Sequence, residues 1–161
     1  MTKKNRFLKK QKSLRNGNNE KEFIMKINAG LWIDHKKTVI VLLIGKMEQE
    51  KIIESKIEKQ LKRYSNLPNG NSSDSRQMPP EDAQKRDFIR QLNVYYDEVI
   101  TFMKNAESIF IFGPGEAKLE LKKRIEKKRL GKRIAAVEAA DKMTNPQVAV
   151  KVRKYFLKKQ V

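Results

Sequence analysis

The chain lacks cysteine altogether and has a single histidine among its 161 residues. Without cysteine there is no disulfide, no zinc ribbon and no thiol nucleophile. The lone histidine, His35, has no serine nucleophile at a recognisable spacing, so the pair Asp34-His35 indicates a turn rather than a catalytic dyad. No apolar run approaches the roughly 18–20 residues that a membrane-spanning helix needs.

Acidic side chains are also scarce. Lysine and arginine number 37 against 19 aspartate and glutamate residues, which leaves a formal net charge of +18. Repulsion among like charges destabilises a compact chain, so this excess predicts a polyanionic partner, either nucleic acid or an acidic membrane surface. No apolar core follows the basic N-terminus, so we expect no secretory signal and a cytoplasmic location.

Residues 1–26 contain few apolar side chains, with no sustained period, and no acidic residue before Glu20. This composition is typical of a tail that is disordered on its own. Two interpretations are open, a nucleic-acid-binding arm and a generic solubilising arm. The basic residues of this tail are Lys3, Lys4, Arg6, Lys9, Lys10, Lys12 and Arg15.

An ordered domain is expected over residues 27–161. Two runs rich in β-branched residues, "AGLWID" (29–34) and "TVIVLLIG" (38–45), flank the turn-forming "DHKK" and predict a hairpin. Residues 46–58 fit a strand or a helix, and the strand is favoured because a glycine makes a second tight connection before them. The polar residues 62–85, with their prolines, serines and Asn-Gly pair, predict a long loop.

Residues 86–104 predict a helix, because their apolar residues recur at steps of four and three. "SIFIF" (108–112) predicts a buried strand, residues 116–129 a second helix, and residues 133–139 a further strand. The apolar stripe of the first helix consists of Phe88, Leu92, Tyr95, Val99 and Phe102.

A last helix is predicted to open at Pro146, with Asn145 as its N-cap. The complete order is β-β-β-α-β-α-β-α, which indicates an α/β fold with a mixed sheet and helices on its faces. This is the order of the ribonuclease H-like fold. Right-handed crossovers place strands 108–112 and 133–139 parallel to the first strand.

The stretch "IFIFGPGEAKLELKKRIEKK" (109–128) carries an apolar run through a glycine turn into a lysine-rich helix. A phosphate cradle needs several free backbone amides at a helix N-terminus, but Pro114 lacks one and Glu116 repels a phosphate. The pattern favours a structural turn, in which Gly113 adopts a positive φ, Pro114 fixes a bend and Gly115 allows close approach to the sheet. The outer side of the following helix carries Lys118, Lys122, Lys123, Lys127 and Lys128.

Carboxylates at strand ends raise the question of a metal-dependent nuclease, which needs clustered acidic groups. Asp34 ends the first strand and Asp141 follows the last one. Strand 108–112 ends without a carboxylate, and Asp97 and Glu98 lie in a helix with no acid-rich cluster to join them to Asp34. We therefore expect turn and cap chemistry for Asp34 and Asp141, with no metal and no cofactor.

Three segments, "GLWIDHKKTVIVLLIG", "LNVYYDEVITFMKNAESIFIFGPGEAKLELKKRIEKK" and "RIAAVEAADKMTNPQVAVKVRKYF", together resemble a bacterial family related to the central domain of archaeal and eukaryotic class-1 peptide release factors and of Pelota. The link to release factors rests on residues 108–125 and on the element order. Gly113-Pro114-Gly115 and Lys118 match the family's turn and early helix lysine. The resemblance implies a ribonuclease H-like fold and an association with the translation machinery.

In release factors this domain carries a Gly-Gly-Gln loop that promotes peptidyl-tRNA hydrolysis, whereas Pelota lacks that motif and acts in ribosome rescue by binding. The present sequence has no adjacent glycines. In the corresponding loop it has Asn69-Gly70-Asn71, Arg76 and Gln77 instead. The resemblance therefore implies a factor that does not catalyse peptide release.

Charge and resemblance together predict a small cytoplasmic RNA-binding factor that associates with the ribosome, rRNA or tRNA, in a rescue, release-like or hibernation role. Lysine and arginine contacts to phosphates would supply affinity, and RNA shape would supply specificity. The alternatives are a nuclease or peptidyl-tRNA hydrolase, and a protein-interaction adapter. Tyr64 is either a base-stacking group or a solvated aromatic. Besides the tail, the expected phosphate contacts are Lys118, Lys122, Lys123, Lys127, Lys128, Arg129, Lys132 and Arg133, then Lys151, Arg153, Lys154, Lys158 and Lys159.

Overall fold

The computed structural model describes residues 25–65 and 80–160. The basic residues of the tail and the middle of the predicted loop lie outside the described residues, so the domain boundary near residue 27 stays a prediction. No helix of the described part has the length and apolar character to cross a bilayer. In chain order the elements are β1 (Ile27–Ile33), β2 (Lys37–Ile44), β3 (Met47–Glu54), α1 (Ile57–Ser65), α2 (Glu81–Phe102), β4 (Ser108–Gly113), α3 (Ala117–Lys127), a 3-10 turn (Gly131–Arg133), β5 (Ile134–Ala139) and α4 (Asn145–Lys159).

The five strands form one mixed sheet in the order β3-β2-β1-β4-β5. β2 runs antiparallel to both β1 and β3, whereas β4 is parallel to β1 and β5 is parallel to β4. This arrangement confirms the predicted α/β class, the leading meander and the two parallel crossovers. Leu31 is paired with Ile40 on one side and Ile111 on the other, so β1 occupies the centre of the sheet.

Alternate residues of the central strands face two separate cores. Leu31, Ile40 and Ile111 are fully buried on the side that α1, α2 and α3 cover. On the opposite side Trp32 and Phe112 pack with residues of α4. Because helices cover both faces of these strands, both alternate sets are apolar, which explains the continuous apolar runs in the sequence.

The segment predicted as one strand, residues 46–58, divides into a strand and a helix. β3 ends at Glu54, and α1 begins at Ile57, whose side chain is buried. Glu58 lies in the first turn, where its charge complements the helix dipole. The strand prediction was therefore wrong for the end of this segment, and the loop prediction was wrong for residues 62–65, which are helical.

α2 begins at Glu81, so residues 81–85 are helical and do not belong to the loop that was predicted there. Pro80 precedes the first turn, a position that tolerates proline because no helical N–H is lost. The predicted apolar stripe is buried or half-buried from Leu92 onward, but Phe88 is 38% exposed. Phe88 lies beside residues of α1 in a shallow cleft, outside the main core.

The N-cap of α4 is Thr144, one residue before the predicted Asn145. The Thr144 hydroxyl accepts the backbone N–H of Gln147 at 3.4 Å, and the Gln147 side-chain oxygen accepts the backbone N–H of Thr144 at 2.9 Å. This capping box satisfies two backbone donors at once, which a cap at Asn145 would not do. Pro146 lies in the first turn, as predicted.

α4 lies directly against β1 at a glycine. A Cβ atom at Gly30 would lie only 2.3 Å from Cγ2 of Val152, so no larger residue fits there without displacing the helix. Val148, Val152 and Phe156 form the buried face of α4. The contact places α4 over β1 and β2. The neighbouring part of the same sheet face is covered by other side chains.

We expect Gly30→Ala to lower the free energy of unfolding by about 1–3 kcal/mol, because the added methyl group overlaps Val152 and overpacks the interface. Urea titration followed by far-UV circular dichroism measures the change. The control is Gly30→Ala combined with Val152→Ala, which removes the two closest contacts and leaves only the Cβ of residue 152 at 2.9 Å. The double variant should lose less than the sum of the two single losses. Strict additivity would contradict the close contact.

Candidate nucleic-acid interface

The glycine turn after β4 has the positive φ at Gly113 that the sequence predicts, but the residue that approaches the sheet closely differs from the predicted one. Gly113 has a φ of +154°, and a Cβ atom there would lie 2.2 Å from the carbonyl oxygen of Ile33. Gly115 has a φ of +60°, and a Cβ atom there would meet no other atom within 4 Å. The predicted positive φ of Gly113 is confirmed, but the close approach to the sheet belongs to Gly113 and not to Gly115.

The first lysine of α3 is turned back onto the glycine turn. The Lys118 ammonium donates a hydrogen bond to the carbonyl oxygen of Gly115. The side chain is half-buried, and this bond gives the Gly115 carbonyl, at the end of the β4–α3 connection, a hydrogen-bond donor. Lys118 therefore has a structural partner, which reduces its availability to a phosphate.

The C-terminal half of α3 is joined to α2 by a charged cluster. The Arg124 guanidinium donates two hydrogen bonds of 2.6 Å to the carboxylate of Asp97, and the Lys128 ammonium lies 3.2 Å from the same carboxylate. The hydrogen bonds from Arg124, with a further contribution from Lys128, lower the pKa of Asp97, and the pair raises the pKa of Arg124. The sequence gives no signal that Arg124 pairs with Asp97, because the two residues are 27 positions apart.

The remaining basic residues of α3 divide into paired and unpaired groups. Lys122 lies 3.8 Å from Glu126, one helical turn away. Arg129 has a φ of +61° and ends the helix in the left-handed conformation that often terminates helices. Lys123 and Lys127 are exposed, and within the described residues neither has an ion-pair or hydrogen-bond partner.

The basic residues of α4 divide in the same way. Lys151 lies 3.3 Å from Glu138 of β5, and its ammonium lies 5.5 Å from the centroid of the Phe112 ring. Arg153 reaches Glu48 of β3 at 3.5 Å. By contrast, Lys154 is exposed and has no such partner in residues 25–65 and 80–160. The same holds for Lys158, whereas the Lys159 ammonium lies 5.1 Å above the ring of Tyr155.

The two basic helices lie on opposite faces of the sheet, since α3 packs in the core around Leu31 and α4 in the core around Trp32. The predicted phosphate contacts therefore form two surfaces. We name them the α3 surface, with the unpaired Lys123 and Lys127, and the α4 surface, with the unpaired Lys154 and Lys158. The predicted tail contacts, Lys3, Lys4, Arg6, Lys9, Lys10, Lys12 and Arg15, lie outside the described residues, as do Asn69-Gly70-Asn71, Arg76 and Gln77.

Asp34, the strand-end carboxylate considered for a metal, is used by the β1–β2 turn. Its Oδ1 accepts the backbone N–H groups of Lys36 and Lys37, each at 2.8 Å. The hydroxyl of Tyr95 donates to the Asp34 carbonyl at 3.0 Å and lies 2.6 Å from the Thr38 hydroxyl, so α2 holds the turn in place. Burial is the main reason that the pKa of Tyr95 is raised above its usual value.

A second polar group beside the turn contains the only histidine. His35 Nε2 lies 3.2 Å from Glu120 Oε2 of α3, and the hydroxyl of Tyr96 donates to the same oxygen at 2.6 Å. Burial, together with the adjacent Glu120 carboxylate, raises the pKa of Tyr96. The sequence predicts a turn role for His35 but gives no signal of its partner Glu120, which is 85 positions away.

No set of three metal-ligating side chains comes together in the part of the chain that the structure describes. Asp97 is occupied by Arg124, and the carbonyl oxygen of Asp141 accepts the indole N–H of Trp32 at 3.0 Å. The carboxylate of Asp34, which directly follows β1, is thus used in a turn, and that of Asp97 in α2 is used in an ion pair.

No protein-family model matches the chain, and no curated protein matches it significantly. Among solved structures, the Thermoplasma acidophilum Pelota protein matches with a TM-score of 0.48 and 14% identity, over 98% of this chain and 38% of that one. The archaeal translation termination factor aRF1 matches with a TM-score of 0.43 and 13% identity, over 83% of this chain and 40% of that one. An Alp12 filament structure has a TM-score of 0.41 and 12% identity, over 89% of this chain and 50% of that one. The chain thus spans half or less of each of these structures, and its resemblance to a bacterial family stays a prediction.

We expect Asp97→Asn to destabilise the protein at neutral pH by about 1 kcal/mol, the upper range for solvent-screened ion pairs. The pKa of Asp97 is lowered in the folded protein, so this stabilisation is present above the unfolded pKa of about 3.9 and is lost as pH falls through the folded pKa. The difference between wild type and variant in urea titrations should therefore shrink towards zero in acid.

Glu98→Gln is the matched control, because Glu98 is exposed on the same helix and has no partner among the described residues. It should change stability little at either pH. A loss in Asp97→Asn that is the same in acid and at neutral pH would rule out the ion pair as its cause.

Proposed function

We propose that the protein is a non-catalytic RNA-binding factor of the translation machinery, which binds the ribosome, rRNA or tRNA through its basic surfaces. The binding residues proposed are the seven basic residues between Lys3 and Arg15 and the basic residues of α3 and α4. Among the latter, the unpaired lysines of the α3 and α4 surfaces would contribute most, because their charges are not already neutralised.

The observation that carries the proposal is the pairing pattern of the cations. Lys123, Lys127, Lys154 and Lys158 are exposed, with no carboxylate partner in the described part of a chain that carries a net charge of +18. An unpaired lysine on a surface of this sign gains more from a phosphate than a paired one, because no existing ion pair must break.

RNA is favoured over other polyanions by the sequence resemblance, in which residues 108–125 match the release-factor turn and helix. The ribosome and tRNA are therefore the RNAs to test first. Recognition of structured RNA depends mainly on shape and on contacts to phosphates and 2′-hydroxyl groups, and lysine-rich helices can supply the phosphate contacts.

The binding assignment is supported over an enzymatic one by the use of the carboxylates. Asp34 is held by two backbone N–H groups of its own turn, and Asp97 by Arg124. A nuclease would degrade RNA in a divalent-metal-dependent reaction that Asp34→Asn abolishes. The proposed function predicts that RNA incubated with wild-type protein and Mg²⁺ stays intact on a denaturing gel.

We expect the protein to pellet with ribosomes at low salt and to be released steeply as salt rises. Replacement of the seven basic tail residues by glutamine, or of Lys123 and Lys127, or of Lys154 and Lys158, should reduce the slope of log K against log salt. The expected reduction is about 1 for each phosphate-contacting cation that is removed. Quantitative co-sedimentation across a salt series measures the slope.

The matched control replaces Lys36 and Lys85 by glutamine, because these two exposed lysines are already paired with Glu58 and Glu81. It removes the same charge as each two-lysine surface variant and should change the slope less. Absence of pelleting even at low salt, together with no salt-sensitive binding to free tRNA, would overturn the proposal and favour a protein-interaction adapter. Equal effects of the control and surface variants would show that net charge acts without these particular lysines.

A further inference from the structure

The sheet face that α4 covers has an open groove beside the helix. α4 lies over β1 and β2, because Val152 fills the space above Gly30. The part of this face that belongs to β4 and β5 is therefore bounded by α4 on one side only. A groove of about 620 Å³ lies there, between α4, the residues that precede it and the β5 edge. This volume is within the usual range for small-ligand sites of about 300–1,000 Å³.

The floor and walls of the groove are largely apolar and include aromatic groups. Phe110 of β4 lies at the floor, and Tyr155 of α4 stacks on it with ring centroids 3.9 Å apart and planes 12° apart. Met143 and Val150 line the wall, and Val150 is 42% exposed. A flat apolar group that enters the groove would gain both burial and contact with the edge of an aromatic stack.

The rim of the groove is cationic. Lys154 and Lys158 line it one helical turn apart, about 6 Å along the axis. Neither is neutralised by a carboxylate among the described residues. The one acidic side chain of the groove, Glu138, is paired with Lys151 at 3.3 Å. The groove therefore combines an apolar, aromatic interior with a net positive rim.

We propose that this groove binds one nucleotide of a single-stranded RNA segment, with the base inside and its phosphates on Lys154 and Lys158. The inference rests on the proposed function and assigns it a site. A lysine rim alone would suit any polyanion, but an aromatic interior next to phosphate-binding lysines matches the way single strands are bound, by base stacking together with backbone charge. A duplex keeps its bases stacked inside and would use only the rim.

Tyr155 lines the groove with a ring that contacts two neighbouring side chains. One face of its ring is on Phe110, and the Lys159 ammonium lies 5.1 Å from the ring centroid. Lys159 itself does not line the groove, so a base that contacts Tyr155 from the groove leaves this cation in place.

The test uses the full chain and fluorescence anisotropy with a labelled oligouridine of about 12 nucleotides, which is within the 4–16 that single-strand sites cover. The decisive comparison is an abasic strand of the same length, which has the same phosphates and no bases. Wild type should bind the abasic strand roughly tenfold more weakly, since each stacked base contributes substantially to affinity. Equal binding of the two strands overturns the groove and leaves the proposed function in place.

Substitutions in the groove test whether the preference for the strand with bases arises there. Val150→Glu, at an exposed position, and Tyr155→Leu should each abolish the difference between the two strands. Lys154→Gln with Lys158→Gln should weaken binding more than Lys123→Gln with Lys127→Gln, which removes the same charge from the opposite face. A preference for bases that persists in Val150→Glu and Tyr155→Leu, with both variants folded by thermal melting, also overturns the groove.

Two further outcomes separate the alternatives. Displacement of the oligouridine by polyglutamate of equal charge, with the same sensitivity to Val150→Glu, would mean an acidic peptide as the occupant and would overturn the RNA assignment. If wild type binds neither of the two strands and does not bind the ribosome, the proposed function itself is overturned.

Discussion

The close contact between α4 and β1 determines more of this molecule than any other interaction. Val152 occupies the space that a side chain at Gly30 would need. It fixes both how near α4 comes to the sheet and which strands it covers. Because α4 lies over β1 and β2, the face of β4 and β5 is left with Phe110 and its stacked Tyr155 as the boundary of a groove. A bulkier residue in β1 would push the helix away from the sheet and alter the core and the groove together.

The positions of the carboxylates determine which of the many cations form ion pairs within the protein and which can contact a partner. Asp97 holds Arg124 and Lys128, Glu138 holds Lys151, and Glu48 holds Arg153. These pairs connect neighbouring elements across the molecule. Among the cations left over in the described residues are Lys123 and Lys127 on α3 and Lys154 and Lys158 on α4. All of these cations contribute equally to the net charge, but the structure shows that only some of them are paired with a carboxylate.

Much of the fold could be predicted from the sequence, because β1, β2 and β4 are buried on both faces and appear as continuous apolar runs. α1 could not be separated from β3, since its first residues follow a strand-like pattern without a break. The cluster at Asp97 could not be predicted either, because its partners come from two helices that the fold brings together. For the groove one signal was present, a glycine inside the first apolar strand, which often marks a close approach of another element.

The sheet topology also bears on how the chain folds. β1, β2 and β3 are joined by two short turns, so their pairing needs only local contacts. Ala29 pairs with Ile109, however, and this central parallel contact closes a loop that contains β2, β3 and two helices. Such non-local pairings lose loop-closure entropy before the burial of apolar side chains stabilises them. We infer that the meander is the first part of the sheet to form and that the docking of β4 limits the folding rate. Conservative substitutions at Ile111 that slow folding as much as they destabilise the protein would support this order, and effects confined to the unfolding rate would contradict it.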